Sequence, residues 1–187
     1  MKEIIILMGA MGSGKGTQAA MLRDVRECNY IETGAIFRGL DRSNPVDAKI
    51  KDIMESGALV PDAETCELVE TRLTADSDML FDGFPRNIPQ AEWLMNWARE
   101  HDMHVNVVHF NVPKEVAIER AAKRVAQGAG RKDDVDPVAI EKRLNEYYTK
   151  AVPTLDWFKS QPDVNFIEID ARQTEAEIFA EMTAGLE

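Results

Sequence analysis

Short apolar runs alternate with longer amphipathic segments along this chain. The apolar runs predict strands at Ile4–Met8, Tyr30–Ile31, Met79–Phe81, Val105–Phe110 and Asn165–Ile169. Strands separated by helical segments favour βαβ units and a parallel sheet, in which helices cover both faces and the strands are nearly all apolar. The first, fourth and fifth runs fit that composition, and the second fits it least. The pattern therefore predicts an α/β domain with a five-stranded parallel sheet.

Helical periodicity fills the intervals between these runs. It predicts helices at Lys15–Arg26, Ala91–Glu100 and Pro113–Gln127. Proline at a first helical position begins the last of these, and Gly128 ends it. Asp136-Pro137 has the form of an N-cap and a first-turn proline, and the residues at core spacing after it are Ile140, Leu144, Tyr147 and Ala151. Residues 33–62 show no convincing strand, so we expect a small helical excursion between the second and third strands.

Composition narrows the possible partners. The chain has 187 residues, 44% of them hydrophobic and 29% charged, which is ordinary for one globular domain. The formal net charge of −11 argues against nonspecific binding of nucleic acid or of an anionic membrane. A phosphate site in this chain must therefore be a local concentration of basic residues within an acidic surface.

The apolar runs and the cysteines of the sequence also indicate the cellular compartment of the protein. No apolar run approaches the ~20 residues that span a bilayer, and the N-terminal apolar run leads into a glycine loop rather than a cleavage site. Cys28 and Cys66 lack the spacing of a CxxC pair, so neither a disulfide framework nor a zinc site is expected. Two reduced thiols favour a cytoplasmic protein.

The strongest local motif is the glycine-rich segment that follows the first predicted strand and begins the first helix, Gly9-Ala10-Met11-Gly12-Ser13-Gly14-Lys15-Gly16-Thr17. In that context, glycines let backbone N–H groups face phosphate oxygens, and the helix start adds its partial positive charge. Lys15 supplies a full charge. Gly16 occupies the usual hydroxyl position, and Thr17 provides a hydroxyl one residue later, for the α-phosphate or for the water shell of a metal.

Further motifs follow this loop in one order. They are GxxGxGKGTQ at 9–18, Thr33-Gly34 with Arg38, Leu59-Val60-Pro61-Asp62, Asp82-Gly83-Phe84-Pro85-Arg86, Arg120-x-x-x-Arg124, Gly130-Arg131-x-Asp133-Asp134 and Arg143-Leu144. Over essentially the whole chain this order resembles adenylate kinase, within the nucleoside monophosphate kinases. The resemblance implies a P-loop NTPase-type three-layer fold. It also implies one kinase domain over residues 1–187, with a core at 1–32, 63–123 and 135–187, a monophosphate-binding excursion at 33–62 and a short lid at 124–134.

The resemblance assigns the ATP site and the metal. The ATP-binding residues would be Gly12, Ser13, Gly14, Lys15, Gly16, Thr17, Arg124 and, by a looser match, Gln173. Asp82 would orient water bound to Mg²⁺, which enters with ATP, and Thr17 is the second residue expected near that ion. A short lid without cysteines implies no zinc, and the His101-x-x-His104 pair has no glutamate or cysteine at metal-ligand spacing.

The resemblance also assigns an AMP site, formed by Thr33, Arg38, Ala58, Leu59, Val60, Gly83, Phe84, Pro85, Arg86, Gln90, Arg131 and Arg143. Around the transferred phosphoryl group it places Lys15, Arg86, Arg120, Arg124, Arg131 and Arg143 as catalytic residues. The chemistry agrees with this, because phosphoryl transfer needs alignment and positive charge more than a general base. Arginine binds phosphate in a bidentate way, and Arg120 and Arg124, four residues apart, share one helix face.

Two positions depart from the family pattern. Met11 stands where proline is usual, and Ala35 stands where an aspartate normally follows Thr-Gly. The second change removes a carboxylate near the metal's hydration shell, so it is expected to affect magnesium dependence or rate.

The function that follows is reversible transfer from Mg-ATP to AMP, giving two ADP, by a monomeric cytoplasmic enzyme. A UMP/CMP kinase with the same fold is an alternative, since base choice depends on a few hydrogen bonds. Thr33 and Gln90 favour adenine, whereas Asn87 is compatible with either base. A nucleotide-binding regulator without transfer activity is an alternative of another class, supported only by Met11 and Ala35.

Overall fold

A computed structural model describes residues 2–126 and 137–186 of the chain. Its five strands are β1 (Glu3–Gly9), β2 (Asn29–Glu32), β3 (Met79–Asp82), β4 (His104–Asn111) and β5 (Val164–Asp170). They form one sheet in the order β2-β3-β1-β4-β5, and every pairing is parallel. The predicted α/β fold with a five-stranded parallel sheet is therefore confirmed.

Burial differs between the central and the edge strands. Residues Ile4–Met8 of β1 are 0–5% exposed, because β3 and β4 flank this strand and helices cover both faces. The expectation that β5 would be equally covered is wrong. In the sheet of the described residues β5 is the last strand and pairs with β4, and most of its residues are half-buried, including Phe166 and Ile167.

The helices are α1 (Lys15–Val25), α2 (Thr33–Arg38), α3 (Pro45–Glu55), α4 (Asp62–Glu70), α5 (Ile88–Glu100), α6 (Lys114–Ala126), α7 (Pro137–Glu146), α8 (Val152–Lys159) and α9 (Glu175–Gly185). A π-helical turn, Tyr147–Ala151, joins α7 to α8. Helix α5 begins three residues before the predicted start, because the Asn87 side chain accepts a hydrogen bond from Gln90 N and caps it. None of the described helices is both long and apolar enough to cross a membrane.

Alternate residues of β1 pack into two separate cores, which makes three layers. Ile4 and Ile6 join Phe81, Leu94 and Phe158 on one face. On the other face, the core contains Ile5, Leu7, Leu22, Phe110, Ala117 and Met182. The period of two along a strand directs neighbouring side chains to opposite faces.

Residues 33–62 contain α2 and α3 and no strand, and they form a small core together with α4. Leu40 and Ile50 pack against Leu68 of α4 there, with Ile36 and Val60 at its margin. The division of the chain into core, excursion and lid remains a prediction. Most of the predicted lid, including Gly128-Ala129-Gly130, Arg131, Asp133 and Asp134, lies outside the described residues, as does Asp136.

Candidate active site

The carboxyl ends of all five strands lie at one edge of the sheet, because the strands are parallel. The predicted site residues follow these ends. The glycine loop follows β1, Thr33 follows β2, Gly83–Arg86 follow β3, helix α6 follows β4 and Gln173 follows β5. In open parallel sheets this edge is where ligands bind.

The loop after β1 has the backbone shape that binds phosphate. Gly12 and Gly14 have φ values of 74° and 95°, a left-handed conformation that glycine adopts readily. The Ser13 N–H donates to the carbonyl oxygen of Ala10 at 3.2 Å, which closes the turn. Helix α1 then begins at Lys15 without a side-chain cap, so its first N–H groups lie where a phosphate can accept them.

Lys15 folds back over this loop. Its Nζ donates to the carbonyl oxygens of Gly9 at 2.7 Å and Ala10 at 2.9 Å. The ammonium group therefore lies at the mouth of the loop, 3.4 Å from Ser13 Oγ. A phosphate that carries a full negative charge is a stronger acceptor for the same hydrogens.

The turn after β3, the strand next to β1, also contains predicted site residues. There the Gly83 carbonyl oxygen connects two of the predicted AMP-site residues. Thr33 Oγ1 and Arg86 Nε each donate to it at 2.8 Å. Gly83 has φ 85°, and a Cβ there would lie 3.0 Å from Thr33 Oγ1. Close approach and a left-handed backbone both favour glycine at this turn. The turn thus holds the Arg86 guanidinium beside the end of β3.

Arg38, assigned to the monophosphate, pairs with a carboxylate from β2. Its Nη2 lies 3.1 Å from Glu32 Oε1, and its side chain is 60% exposed. Exposed ion pairs contribute at most about 1 kcal/mol, so a phosphate dianion can displace this partner. Glu32 belongs to none of the motifs found in the sequence. Of the backbone segment Ala58–Val60, Ala58 and Leu59 are exposed, whereas Val60 is half-buried.

Gln90 is 5% exposed and belongs to a hydrogen-bond network. Its Oε1 accepts from Arg86 N at 2.9 Å, and its Nε2 donates to Asp62 Oδ1 at 2.6 Å. Asn87 Nδ2 donates to the same carboxylate oxygen at 2.8 Å. Asp62 belongs to the motif Leu59-Val60-Pro61-Asp62, which predicts no function for it. Its only signal was an acidic residue directly after the predicted AMP-contacting segment.

Three further predicted residues are described: Arg120 on α6, Gln173 after β5 and Arg143 on α7. Arg120 Nη1 donates to the Ala171 carbonyl oxygen at 2.6 Å, which connects α6 to the loop after β5. In that loop, Gln173 is exposed and its Nε2 donates to Glu181 at 2.9 Å. Arg143 is half-buried in the last turn of α7. The Arg124 side chain and all of Arg131 lie outside the described residues.

The two residues predicted to lie near a metal ion are Asp82 and Thr17. Asp82 ends β3 beside the glycine loop, and its Oδ2 accepts a hydrogen bond from Tyr30 at 3.4 Å. Burial and the negative charges of Asp82 and Glu32 raise the pKa of Tyr30, so its hydroxyl keeps its proton. Thr17 is exposed in the first turn of α1. These oxygens suit Mg²⁺, which proteins bind through one or two side chains plus substrate phosphates. In the described part of the chain no three His, Cys, Asp or Glu side chains converge on a metal position.

His109 lies inside β4. It is 7% exposed, its Nε2 lies 2.9 Å from Tyr147 Oη, and its Nδ1 is buried without a hydrogen-bond partner. Burial lowers the pKa of His109, and the nearby charge of Glu168 offsets that effect only in part. The imidazole is therefore held neutral in the folded protein.

We expect this burial to make folding sensitive to mild acid. An unfolded histidine binds a proton below about pH 6.5, whereas the folded one does so only at lower pH, so stability falls as pH decreases from about 7 to about 5. His109→Gln removes that contribution, and urea unfolding at both pH values measures the difference. His104→Gln is the control, since the His104 ring is exposed in the folded chain as in the unfolded one. Equal pH dependence in wild type and His109→Gln would contradict the expectation.

A parallel sheet of this order, with a lysine-bearing glycine loop at the end of its central strand, defines a P-loop nucleotide-binding protein. Comparison with known proteins narrows the class. The family model described as "Adenylate kinase" matches residues 7–163. An adenylate kinase of Cyanothece sp. is 36% identical over 183 residues, covering 95% of this chain and 92% of the relative. That of Phocaeicola vulgatus is 33% identical over 188 residues, covering 98% and 97%. This chain belongs to the adenylate kinase family.

Proposed function

We propose that this protein catalyses the reversible conversion of Mg-ATP and AMP into two molecules of ADP. The observation that carries the proposal is the arrangement at the sheet edge. The glycine loop with Lys15 lies after β1, and Thr33, Gly83 and Arg86 form a second polar turn after the neighbouring β2 and β3. Two adjacent phosphate-binding turns suit two nucleotides that meet end to end. The relatives reported above are all named adenylate kinase, and they give the UMP/CMP alternative no support.

The reaction breaks the bond between the γ-phosphorus of ATP and its β,γ-bridging oxygen and forms a bond to a phosphate oxygen of AMP. Charge spreads over the equatorial oxygens of the transferred group. Lys15 and the N–H groups of the loop from Gly12 to Thr17 neutralise that charge on the ATP side. Magnesium bound with ATP would be oriented by Asp82 and Thr17 and would add positive charge there. No side chain needs to remove a proton, because the attacking phosphate oxygen is already ionised.

On the acceptor side, Arg86 and Arg38 would bind the AMP phosphate, and Thr33, the backbone of residues 58–60 and Gln90 would surround the nucleoside. Arg120 and Arg143 would add positive charge near the transferred group. The helical excursion carries Arg38, so its closure on AMP would exclude water that otherwise hydrolyses ATP. The assignments of Arg124, Arg131 and the looser one of Gln173 stay predictions from sequence.

We further propose a cytoplasmic monomer that binds neither nucleic acid nor membrane. Both cysteines are free thiols, and burial, with the negative charges of Asp62 and Glu70, raises the pKa of Cys66 to about 12. Free thiols without a disulfide are typical of a reducing compartment. The acidic net charge supports the expected absence of polyanion partners.

A monophosphate-specificity assay tests the proposal. ADP formation is followed with ATP, magnesium and each of AMP, UMP, CMP and GMP in turn, and AMP is expected to give the highest kcat/KM. A preference for a pyrimidine monophosphate would replace AMP by UMP or CMP as substrate. Tight binding of a dinucleotide that spans both sites, without turnover of any monophosphate, would favour the non-catalytic regulator.

A further inference from the structure

Gln90 and Asp62 lie 28 residues apart in the chain, and the structure joins them by a 2.6 Å hydrogen bond from Nε2 to the carboxylate. The other end of the same amide is also held, because Oε1 accepts from the backbone N–H of Arg86 at 2.9 Å. Asn87 contributes twice, by capping Gln90 N through Oδ1 and by donating Nδ2 to Asp62. Each end of a buried amide therefore faces a fixed partner.

These two partners permit only one orientation of the amide. Rotation by half a turn would put the amide oxygen against the Asp62 carboxylate and the NH2 group against the Arg86 N–H. Two acceptors or two donors would then face each other in a buried position, and both hydrogen bonds would be lost. The backbone donor belongs to the turn after β3, and Asp62 is the first residue of α4, where the helix dipole favours negative charge.

The fixed amide presents one remaining N–H and one remaining lone pair in a set order. Adenine has a donor at N6 and an acceptor at N1 on its Watson–Crick edge, whereas hypoxanthine and guanine have an acceptor at O6 and a donor at N1. In the same position, adenine therefore requires one orientation of the amide, and hypoxanthine or guanine requires the opposite one.

We propose that Asp62 is a specificity-determining residue that fixes the Gln90 amide and so selects 6-amino over 6-oxo purine monophosphates. This inference rests on the proposed function, in which Gln90 reads the base of AMP. Asp62 is a positioning residue here, since its carboxylate acts through Gln90 rather than on the nucleotide.

The test compares kcat/KM for AMP with kcat/KM for IMP, which carries O6 in place of the adenine amino group. Asp62→Ala is expected to lower the AMP:IMP ratio by about tenfold or more, the effect of losing one charge-assisted hydrogen bond. Asp62→Asn keeps a carbonyl acceptor and is expected to stay within about threefold of the wild-type ratio. Asp62→Ser, whose shorter side chain is suited to a helix start, serves the same purpose as the alanine variant if that variant is unstable.

Glu64→Ala is the matched control. Glu64 is the other acidic residue in the first turn of α4, and its carboxylate lies 3.8 Å from Lys49 Nζ. This variant is expected to keep the wild-type ratio. An unchanged ratio in both Asp62→Ala and Asp62→Ser would overturn the inference, and so would an equal fall in Glu64→Ala. Wild-type protein that cannot phosphorylate AMP would instead refute the proposed function.

Discussion

Lys15→Ala is expected to lower kcat for ADP formation by about a thousandfold, as removal of a preorganised charge from a phosphoryl-transfer site should. The ammonium group donates to two carbonyl oxygens of the glycine loop, so its charge lies against the loop that is predicted to bind phosphate. Because the charge it neutralises grows toward the transition state, the loss should appear in kcat more than in KM.

A coupled assay for ADP at saturating ATP and AMP measures this effect. Lys2→Ala is the control, since Lys2 precedes β1 at the opposite edge of the sheet and its replacement removes the same charge from the chain. The Lys2 variant should keep wild-type turnover, and the thermal midpoints of both variants should show that each is folded. Turnover by Lys15→Ala close to the wild-type value would remove this lysine from the mechanism.

The sheet was predictable because its central strands are buried on both faces. Such a strand is a nearly continuous apolar run, and the predicted limits of β1 and β4 differ from the observed ones by one residue at each end. Strand β2 was predicted as two residues and has four, since Asn29 and Glu32 at its ends are polar. Both β2 and β5 are edge strands, but only β2 had a weak apolar pattern in the sequence.

Short helices were harder to predict. Helix α8 has eight residues with a proline near its start, and Leu155 and Phe158 stabilise it by burial against the core rather than through periodicity. Helix α9 has a capping box in which Thr174 and Glu177 bond each other's backbone N–H groups. That Thr-x-x-Glu spacing is visible in the sequence and is a signal for a helix start that was not among the predicted elements.

Some features of the candidate site were predictable from the sequence and others were not. Positions set by the backbone, such as the glycine loop and the turn at Gly83, follow from local motifs because few residues tolerate those conformations. Contacts between side chains from separate helices and strands do not follow from local motifs. Two examples are the hydrogen bond between Gln90 and Asp62 and the one between Arg120 and the Ala171 carbonyl oxygen. Both depend on how distant segments pack, and such packing produces no characteristic residue spacing in the sequence.

Gly12→Ala is expected to destabilise the protein by about 3 kcal/mol or more and to abolish most activity. Gly12 has φ 74°, and a Cβ on it would lie 2.4 Å from the Ala117 carbonyl oxygen, so α6 would have to move away from the loop. Helix α6 carries Arg120 and Arg124, so the same displacement would carry two predicted catalytic arginines away from the phosphates.

Two neighbouring glycines separate the causes of that loss. Gly14 has φ 95° but open space around its Cβ, so Gly14→Ala carries only the left-handed strain of about 1–2 kcal/mol. Gly16 lies in α1 with neither feature, and alanine there should be neutral or stabilising by about 0.5–1 kcal/mol. Urea unfolding of the three variants should rank Gly12→Ala lowest, Gly14→Ala next and Gly16→Ala highest. If the first two were equally stable, the contact between the loop and Ala117 would contribute nothing, and α6 would be free to shift without disturbing the phosphate site.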